Sequence, residues 1–191
     1  MAPQPSEQLM EGQLFGHSIS FAYSETWVAY SVVSLRLLLG YVILSSGIDK
    51  VFDPEWSAEA FLNPATGFGV VEANPLSGFF AELSASAAYV DPLVIAGQIL
   101  VGLALIFGVA FRFAAFWGAV MMLLFWLAGL QGGILAGLPV EHGYIVDSSM
   151  VYAVILFGLG ALGAGRILGI DRYLEEMAFV QDRPWLKYLL G

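Results

Sequence analysis

Four apolar runs, each long enough to cross a lipid bilayer, dominate this chain of 191 residues. A helix rises about 1.5 Å per residue, so roughly 20 residues span a hydrocarbon core ~30 Å thick. The runs therefore predict an all-α integral membrane protein, a bundle of four transmembrane helices. These spans are expected at about residues 27–48, 90–109, 113–130 and 146–168.

The composition supports a membrane protein independently of the runs. Hydrophobic residues make up 59% of the chain and charged residues 12%, whereas a soluble domain is roughly 25% charged. The other segments are too short for a second core, so we expect one membrane domain over 27–171, between tails at 1–26 and 172–191. The chain has no cysteine, which excludes disulfides and thiolate metal sites.

The few basic residues predict how the bundle is oriented. With four spans both termini share one side, and that side also carries most of the basic residues. Lys50 is alone on the other side, so the positive-inside rule predicts a multi-pass cell-membrane protein with both termini cytoplasmic and with loops 51–89 and 131–145 facing outward. Residues 1–26 contain no Lys or Arg and are expected to belong to the mature protein. The basic residues on the terminal side are Arg112, Arg166, Arg172, Arg183 and Lys187.

The charge balance is acidic. Sixteen Asp and Glu against seven Lys and Arg give a formal charge of −9. Like-charge crowding of this kind is tolerable when salt screens it, which indicates a high-salt habitat such as that of a halophilic archaeon. Ordinary compositional drift is the alternative. No nucleic-acid partner is expected in either case.

The outer loop 51–89 carries signals for local structure. Asp53-Pro54 and Asn63-Pro64 mark turns, and apolar residues between them recur at helical spacing. A second such stretch runs from Pro75 to Ala88, and a third occupies the C-terminal tail. We expect short amphipathic helices lying against the membrane both in this loop and in the C-terminal tail.

Glycines recur within the apolar runs, and Gly158, Gly160 and Gly163 form a G-x-G-x-x-G pattern. A dinucleotide fingerprint requires a preceding strand, whereas this pattern lies inside a membrane-length apolar run. Small residues instead let helices approach closely. The glycines predicted to pack helices together are Gly97, Gly102, Gly108, Gly158, Gly165 and Gly169.

Ionisable residues near the spans are candidates for function, because a charge at the bilayer centre is costly. Arg36 either faces the bundle or snorkels to the cytoplasmic interface. Lys50 and Asp147 lie at the outer ends of the first and fourth spans, where they can pair; alternatively Asp147 only caps its helix and Lys50 is solvated. His142 either exchanges protons near neutral pH or is simply exposed.

Dispersed motifs resemble one known family. They are R-L-L-L-G at Arg36–Gly40, G-I-D-K at Gly47–Lys50, the G-x-x-x-x-G-L-x-L-I-x-G-x-x-x-R pattern of Gly97–Arg112, and G-A-G-R-x-x-G-x-D at Gly163–Asp171. Over about residues 30–176 the chain resembles the DoxX/DoxD family of small four-helix membrane proteins.

The resemblance implies a function in redox chemistry. DoxD is the small membrane subunit of a thiosulfate:quinone oxidoreductase, so the chain is expected to be a quinone-interacting or anchoring subunit that is not catalytic alone. It shows no metal, flavin or haem ligands, and a quinone of the menaquinone type is the implied cofactor. Its partners would be the bilayer and other subunits. Candidates to hold or protonate the quinone are Arg36, Lys50, His142 and Asp147, with ring contacts from Trp126 and Tyr144.

Two other functions stay open. The chain departs from the thiosulfate enzyme because nothing after Asp171 supplies the larger second subunit, which leaves room for a noncatalytic accessory subunit that packs against a larger membrane assembly. A small-solute transporter is less favoured, since four spans without an inverted repeat offer little for alternating access.

Overall fold

The computed structural model describes residues 7–130 and 146–191. A two-stranded hairpin comes first, and helices account for most of the remainder. The strands are β1 (Glu7–Leu14) and β2 (His17–Ser24), and the helices are α1 (Glu25–Phe52), α2 (Ala58–Leu62), α3 (Ser77–Ala85), α4 (Ala87–Phe107), α5 (Phe111–Ala128), α6 (Ser148–Leu162), α7 (Asp171–Glu176) and α8 (Ala178–Gln181). Short 3-10 turns lie at Ala164–Arg166 and Pro184–Tyr188.

Within the residues that the structure describes, three helices, α1, α4 and α5, are long and apolar enough to cross a membrane, which confirms the mostly helical fold and agrees with a membrane protein. The fourth predicted span, 146–168, is helical only over the 15 residues of α6. That length covers about 22 Å, less than the ~30 Å of a hydrocarbon core. A fourth span therefore stays a prediction.

Backbone conformation explains why α4 and α6 stop where they do. Gly108 ends α4 with φ +62°, and Gly163 ends α6 with φ +63°, a left-handed conformation that glycine adopts without steric cost. Ala110 is also left-handed, with φ +46°, and it turns the chain from α4 into α5. These turns lie at the same end of the bundle as Arg36.

The bundle consists of two closely packed helix pairs, α1 with α4 and α5 with α6, joined by contacts between α4 and α5. Glycine permits the first pair to approach. A Cβ on Gly102 would lie 2.7 Å from the backbone nitrogen of Leu44, and one on Gly40 would lie 3.1 Å from the carbonyl oxygen of Gly102. Gly47 approaches Gln98 and Ile99 in the same way.

Two of the six predicted packing glycines do not make such contacts. Nothing lies within 4 Å of a Cβ placed on Gly158, and on Gly97 it would meet only the Met121 sulfur at an ordinary 3.5 Å. Gly158 therefore faces open space and Gly97 makes only an ordinary contact with α5, because helical spacing alone does not identify the positions at which two helices approach closely. Gly118, which the sequence did not single out, packs closely against Val101.

The N-terminal residues 7–24 form a hairpin, although the sequence predicted an all-α protein with an irregular tail. Phe15 and Gly16 make the turn, both at positive φ, as the tight two-residue turns of hairpins require. Register pairs Met10 with Phe21 and Gly12 with Ile19, which gives the hairpin one apolar face.

The loop after α1 folds over the end of the bundle that carries Lys50. Its apolar side chains form a small second core with the last turn of α5. Asn74 is 2% exposed, and its amide nitrogen donates to the carbonyl oxygens of Leu127 and Leu130 at 2.9 and 2.8 Å. The short helices expected in this loop are present as α2 and α3, while their contact with a membrane surface stays a prediction.

The C-terminal tail folds at the opposite end, beside Arg36. It is divided into the short helices α7 and α8 and a 3-10 turn, and whether these are the amphipathic helices expected in the tail stays a prediction. The backbone nitrogen of Phe113 donates to the carbonyl oxygen of Leu189 at 3.1 Å, which fixes the tail to the start of α5. Its predicted contact with the membrane is likewise untested by the fold.

Candidate functional site

Lys50 lies in the last turn of α1, where the helix leaves the bundle. Its ammonium group donates to the carbonyl oxygen of Ser46 at 3.0 Å, one helical turn earlier. The same nitrogen lies 5.3 Å from the centre of the Trp56 ring, within range of a cation–π interaction. The helix and the following loop together hold this cation in one place.

Asp147 precedes α6 and accepts a hydrogen bond from the backbone nitrogen of Met150 at 2.8 Å. This is the capping arrangement that the sequence left open, and it orients the carboxylate at the start of the helix. No ion pair joins Asp147 to Lys50 within residues 7–130 and 146–191. The two side chains nevertheless line one cavity.

That cavity, the Lys50 cavity, has a volume of about 500 Å³, within the ~300–1,000 Å³ usual for small-molecule sites. It lies between the loop that follows α1 and the ends of α4, α5 and α6. Polar groups occupy one part of its wall and aromatic or aliphatic groups the rest. Its principal lining residues are Lys50, Asp53, Trp56, Phe61, Val94, Phe125, Asp147 and Ser149.

The arrangement suits a flat, largely apolar molecule with polar oxygens at its rim. Lys50 supplies a cationic donor, and the ring of Trp56 lies beside it. Asp147 supplies a carboxylate that can exchange a proton. Phe61 and Phe125 supply apolar wall, so the cavity combines the few polar groups and the apolar surface that ligand sites typically have.

The other predicted site residues are distributed elsewhere. His142 and Tyr144 lie outside the described residues. Trp126 is half-buried on α5 and does not line the cavity, where its neighbour Phe125 does. Arg36 lies fourteen residues before Lys50 on α1, about 21 Å away along the helix axis, so it belongs to the opposite end of the bundle.

Arg36 faces the bundle rather than the interface, which decides between the two alternatives for its position. It is 2% exposed. Its guanidinium donates to the carbonyl oxygens of Ala164 at 2.9 Å and Ile167 at 2.8 Å, and to that of Leu168 at 3.2 Å. These carbonyls end the short helical turn after α6, where a cation is favoured.

Asp171 is fully buried beside Arg36. Its carboxylate accepts hydrogen bonds from the backbone nitrogens of Ala110, Phe111 and Gly191 at 2.7, 2.9 and 2.8 Å. It therefore caps α5 from a distant part of the chain. Burial raises the pKa of Asp171 above its ordinary value, an effect that the three donors oppose.

The region in which Arg36 and Asp171 are buried, the Arg36–Asp171 junction, also contains close backbone contacts. A Cβ on Gly108 would lie 2.9 Å from the Arg36 guanidinium, and one on Gly165 would lie 2.5 Å from the Asp171 carboxylate. Gly169 lies against the carbonyl oxygen of Gly165. Gly108 and Gly165 thus make room for the buried side chains of Arg36 and Asp171, and Gly169 allows the backbone to approach there, a purpose that spacing alone did not indicate.

Comparison with known proteins gives one family. The DoxX model matches residues 31–131, which include α1 from residue 31 onward, the loop that follows it, α4 and α5. No match is found among curated proteins or among solved structures.

Proposed function

Because the chain belongs to the DoxX family of membrane proteins, we propose that it is the quinone-interacting subunit of a membrane redox complex, with the quinone ring in the Lys50 cavity. The observation that carries this proposal is the cavity itself. The ammonium group of Lys50 lies 5.3 Å from the centre of the Trp56 ring, and Lys50 and Asp147 both line the cavity.

The residues present fit a quinone. A quinone is a flat ring with carbonyl oxygens that accept hydrogen bonds, and it takes up protons when it is reduced. Lys50 offers a charged donor for one oxygen, while Trp56 and Phe125 offer aromatic and apolar surface for the ring. When bound, the quinone would supply the electron chemistry.

The chain's own residues then have separate tasks. Lys50 orients the ring through one carbonyl oxygen and offsets negative charge that develops there. Asp147, held by its bond to the nitrogen of Met150, exchanges a proton between the cavity and the surrounding solvent. The outer loop covers the site, because Trp56 and Phe61 both belong to it.

Binding of a soluble naphthoquinone, 2,3-dimethyl-1,4-naphthoquinone, to the purified protein tests this proposal. The chain has five tryptophans, so quenching of tryptophan fluorescence reports binding, and the part of the quenching that is lost in Trp56→Phe reports binding near Trp56. We expect Lys50→Met to weaken binding about tenfold, since it removes a charged donor worth roughly 1.5–3 kcal/mol. Lys187→Met is the matched control, because Lys187 is the other lysine of the chain and lies in the tail; equal affinity in wild type and Lys50→Met would contradict the proposal.

Asp147→Asn separates charge from capping, because the amide oxygen can still accept from the nitrogen of Met150. We expect this variant to bind the naphthoquinone normally and to lower quinone reduction by the purified native complex. Asp182→Asn, an exposed position in the tail, serves as control. If Asp147→Asn turns over at the wild-type rate, Asp147 is not the group that exchanges the proton.

The hairpin favours a second candidate, a noncatalytic accessory subunit. A two-stranded hairpin is marginally stable by itself, and this one exposes Met10, Ile19 and Phe21 on its apolar face. Another subunit covering that face would stabilise it. Native purification in which the chain stays at fixed stoichiometry in a larger assembly, with no naphthoquinone binding by the assembly, would support this function over the first.

A further inference from the structure

A second cavity, the α5–α6 groove, runs along the outside of the bundle between these two helices. Its volume is about 340 Å³. Ala115 and Gly160 form its floor, where a Cβ on Gly160 would lie 3.2 Å from the Cβ of Ala115. Phe116 and Phe157, which are 61% and 73% exposed, form its two sides. The groove is therefore an apolar slot open to whatever surrounds the helices.

Arg112 lies at one end of the groove. Its guanidinium makes no hydrogen bond or ion pair with any part of the chain that the structure describes. Arg166 is nearby, since both guanidinium groups would lie within about 3.5 Å of a Cβ on Gly163. Arg166, however, is paired with Glu175 through bonds of 2.7 and 2.9 Å, so among the described residues Arg112 is the guanidinium at this end that makes no ion pair.

The polarity of the groove changes along its length. From Arg112 to Ala119, the α5 positions on this surface recur every three or four residues and extend about 10 Å along the helix axis. The cation is at the start of a membrane-crossing helix, where the hydrocarbon region gives way to headgroups, and the rest is apolar. A ligand for this groove needs an anionic head and an apolar tail in that order.

We propose that the α5–α6 groove binds an anionic phospholipid, with its phosphate on Arg112 and one acyl chain between Phe116 and Phe157. Arginine pairs with phosphate oxygens through two parallel hydrogen bonds, and basic pockets between membrane helices are suited to acidic headgroups. Arg112 lines the groove and is partly exposed, so a headgroup beside the groove can reach its guanidinium. This site is independent of the Lys50 cavity, which lies at the other end of the bundle.

The test is native mass spectrometry of the purified chain, mixed with equal amounts of dioleoyl phosphatidylglycerol and dioleoyl phosphatidylcholine. We expect the anionic lipid to be retained about fivefold more than the zwitterionic one, the effect of one arginine on a headgroup with net negative charge, because the choline cation offsets the phosphate of the zwitterionic lipid. Arg112→Gln should remove this preference, and Arg112→Lys should keep part of it. Arg172→Gln is the matched control, because it removes the same charge from the exposed surface of α7.

A second pair of variants tests the apolar part of the groove. Ala161 is exposed on the side of the groove, so Ala161→Phe should fill it and lower retention of both lipids without disturbing the core. Val154→Phe, at a 62% exposed position of α6, should leave retention unchanged. The proposal is overturned if Arg112→Gln and Arg172→Gln lower the preference for the anionic lipid equally. It is also overturned if the purified protein is a lipid-free dimer and Ala161→Phe dissociates that dimer, because a second copy of the chain would then cover the groove.

Discussion

The carboxylate of Asp171 caps the helix that begins at Phe111, sixty residues earlier in the chain, by accepting a hydrogen bond from the Phe111 nitrogen at 2.9 Å. The backbone bond in the reverse direction, from the nitrogen of Asp171 to the carbonyl oxygen of Gly108 at 2.8 Å, fixes the turn between α4 and α5. A single residue thus holds the tail, the turn and the start of α5 together.

Asp171→Ala should destabilise the protein strongly. It leaves buried donors of Ala110, Phe111 and Gly191 unpaired, and each such group costs about 1–3 kcal/mol. Thermal unfolding in detergent should show a midpoint lowered by several degrees. Asp182→Ala, which changes an exposed residue of the tail, should have little effect, and equal midpoints for the two variants would contradict the capping function.

The protonation of Asp171 should make its contribution to the free energy of unfolding depend on pH. Burial raises the pKa of Asp171 in the folded protein, so the folded state binds this proton more tightly than the unfolded state, in which the pKa is about 3.9. Stability relative to Asp171→Asn should therefore fall as pH rises from about 4 through the raised pKa. The unfolding midpoints of both proteins, measured between pH 4 and 8, test this prediction. If the midpoint of the wild type minus that of Asp171→Asn rises with pH, the prediction is refuted.

Gly102 and Gly158 are a matched pair of helical glycines. A methyl group on Gly102 would meet the backbone of Leu44 at 2.7 Å, whereas one on Gly158 would meet nothing within 4 Å. Gly102→Ala should therefore separate α1 from α4 and cost about 1–3 kcal/mol, while Gly158→Ala should be neutral or slightly stabilising. Unfolding midpoints of the purified variants check this, and the reverse order would show that the close approach of α1 and α4 is unimportant.

Asn74 should stabilise the outer loop through its donor rather than its shape. Asn74→Asp preserves the shape but brings an acceptor to the carbonyl oxygens of Leu127 and Leu130, so amide hydrogen exchange over residues 70–86 should become about tenfold faster. Asn63→Asp is the control, because Asn63 acts as acceptor for the nitrogen of Ala65, a function that Asp retains. Unchanged exchange in Asn74→Asp would exclude the amide donor as the link between loop and bundle.

The sequence predicts the helical membrane fold well, since length and hydropathy decide it locally. Arg36 and Lys50 were also recognisable, because any charge near an apolar run requires an explanation. The partners of these residues were not predictable from spacing. Whether Arg36 contacts Ile167, or Lys50 contacts Trp56, depends on which helix ends come together in three dimensions.

The distant caps were missed for a related reason. Asp171 is the first residue of α7, so the local pattern indicates only the start of a short helix. Asn74 lies among turn residues, where asparagine usually bonds its own backbone, as it also does here with the nitrogen of Leu76 at 2.8 Å. One motif, G-A-G-R-x-x-G-x-D, does contain both Asp171 and the glycine that makes room for it, Gly165. Its glycines, however, suggested helix packing rather than space for buried charges.

The distant cap on α5 also bears on how the protein is made. When Phe111 leaves the ribosome, the carboxylate that will cap its helix is sixty residues away and not yet synthesised. The apolar helices α1, α4 and α5 precede residue 171, so they are synthesised while the turn at Gly108 and Ala110 still lacks its hydrogen bonds to Asp171. We therefore expect insertion of these helices and closure of the turn to be separable events, and a chain stalled on the ribosome before residue 171 to lack this cap.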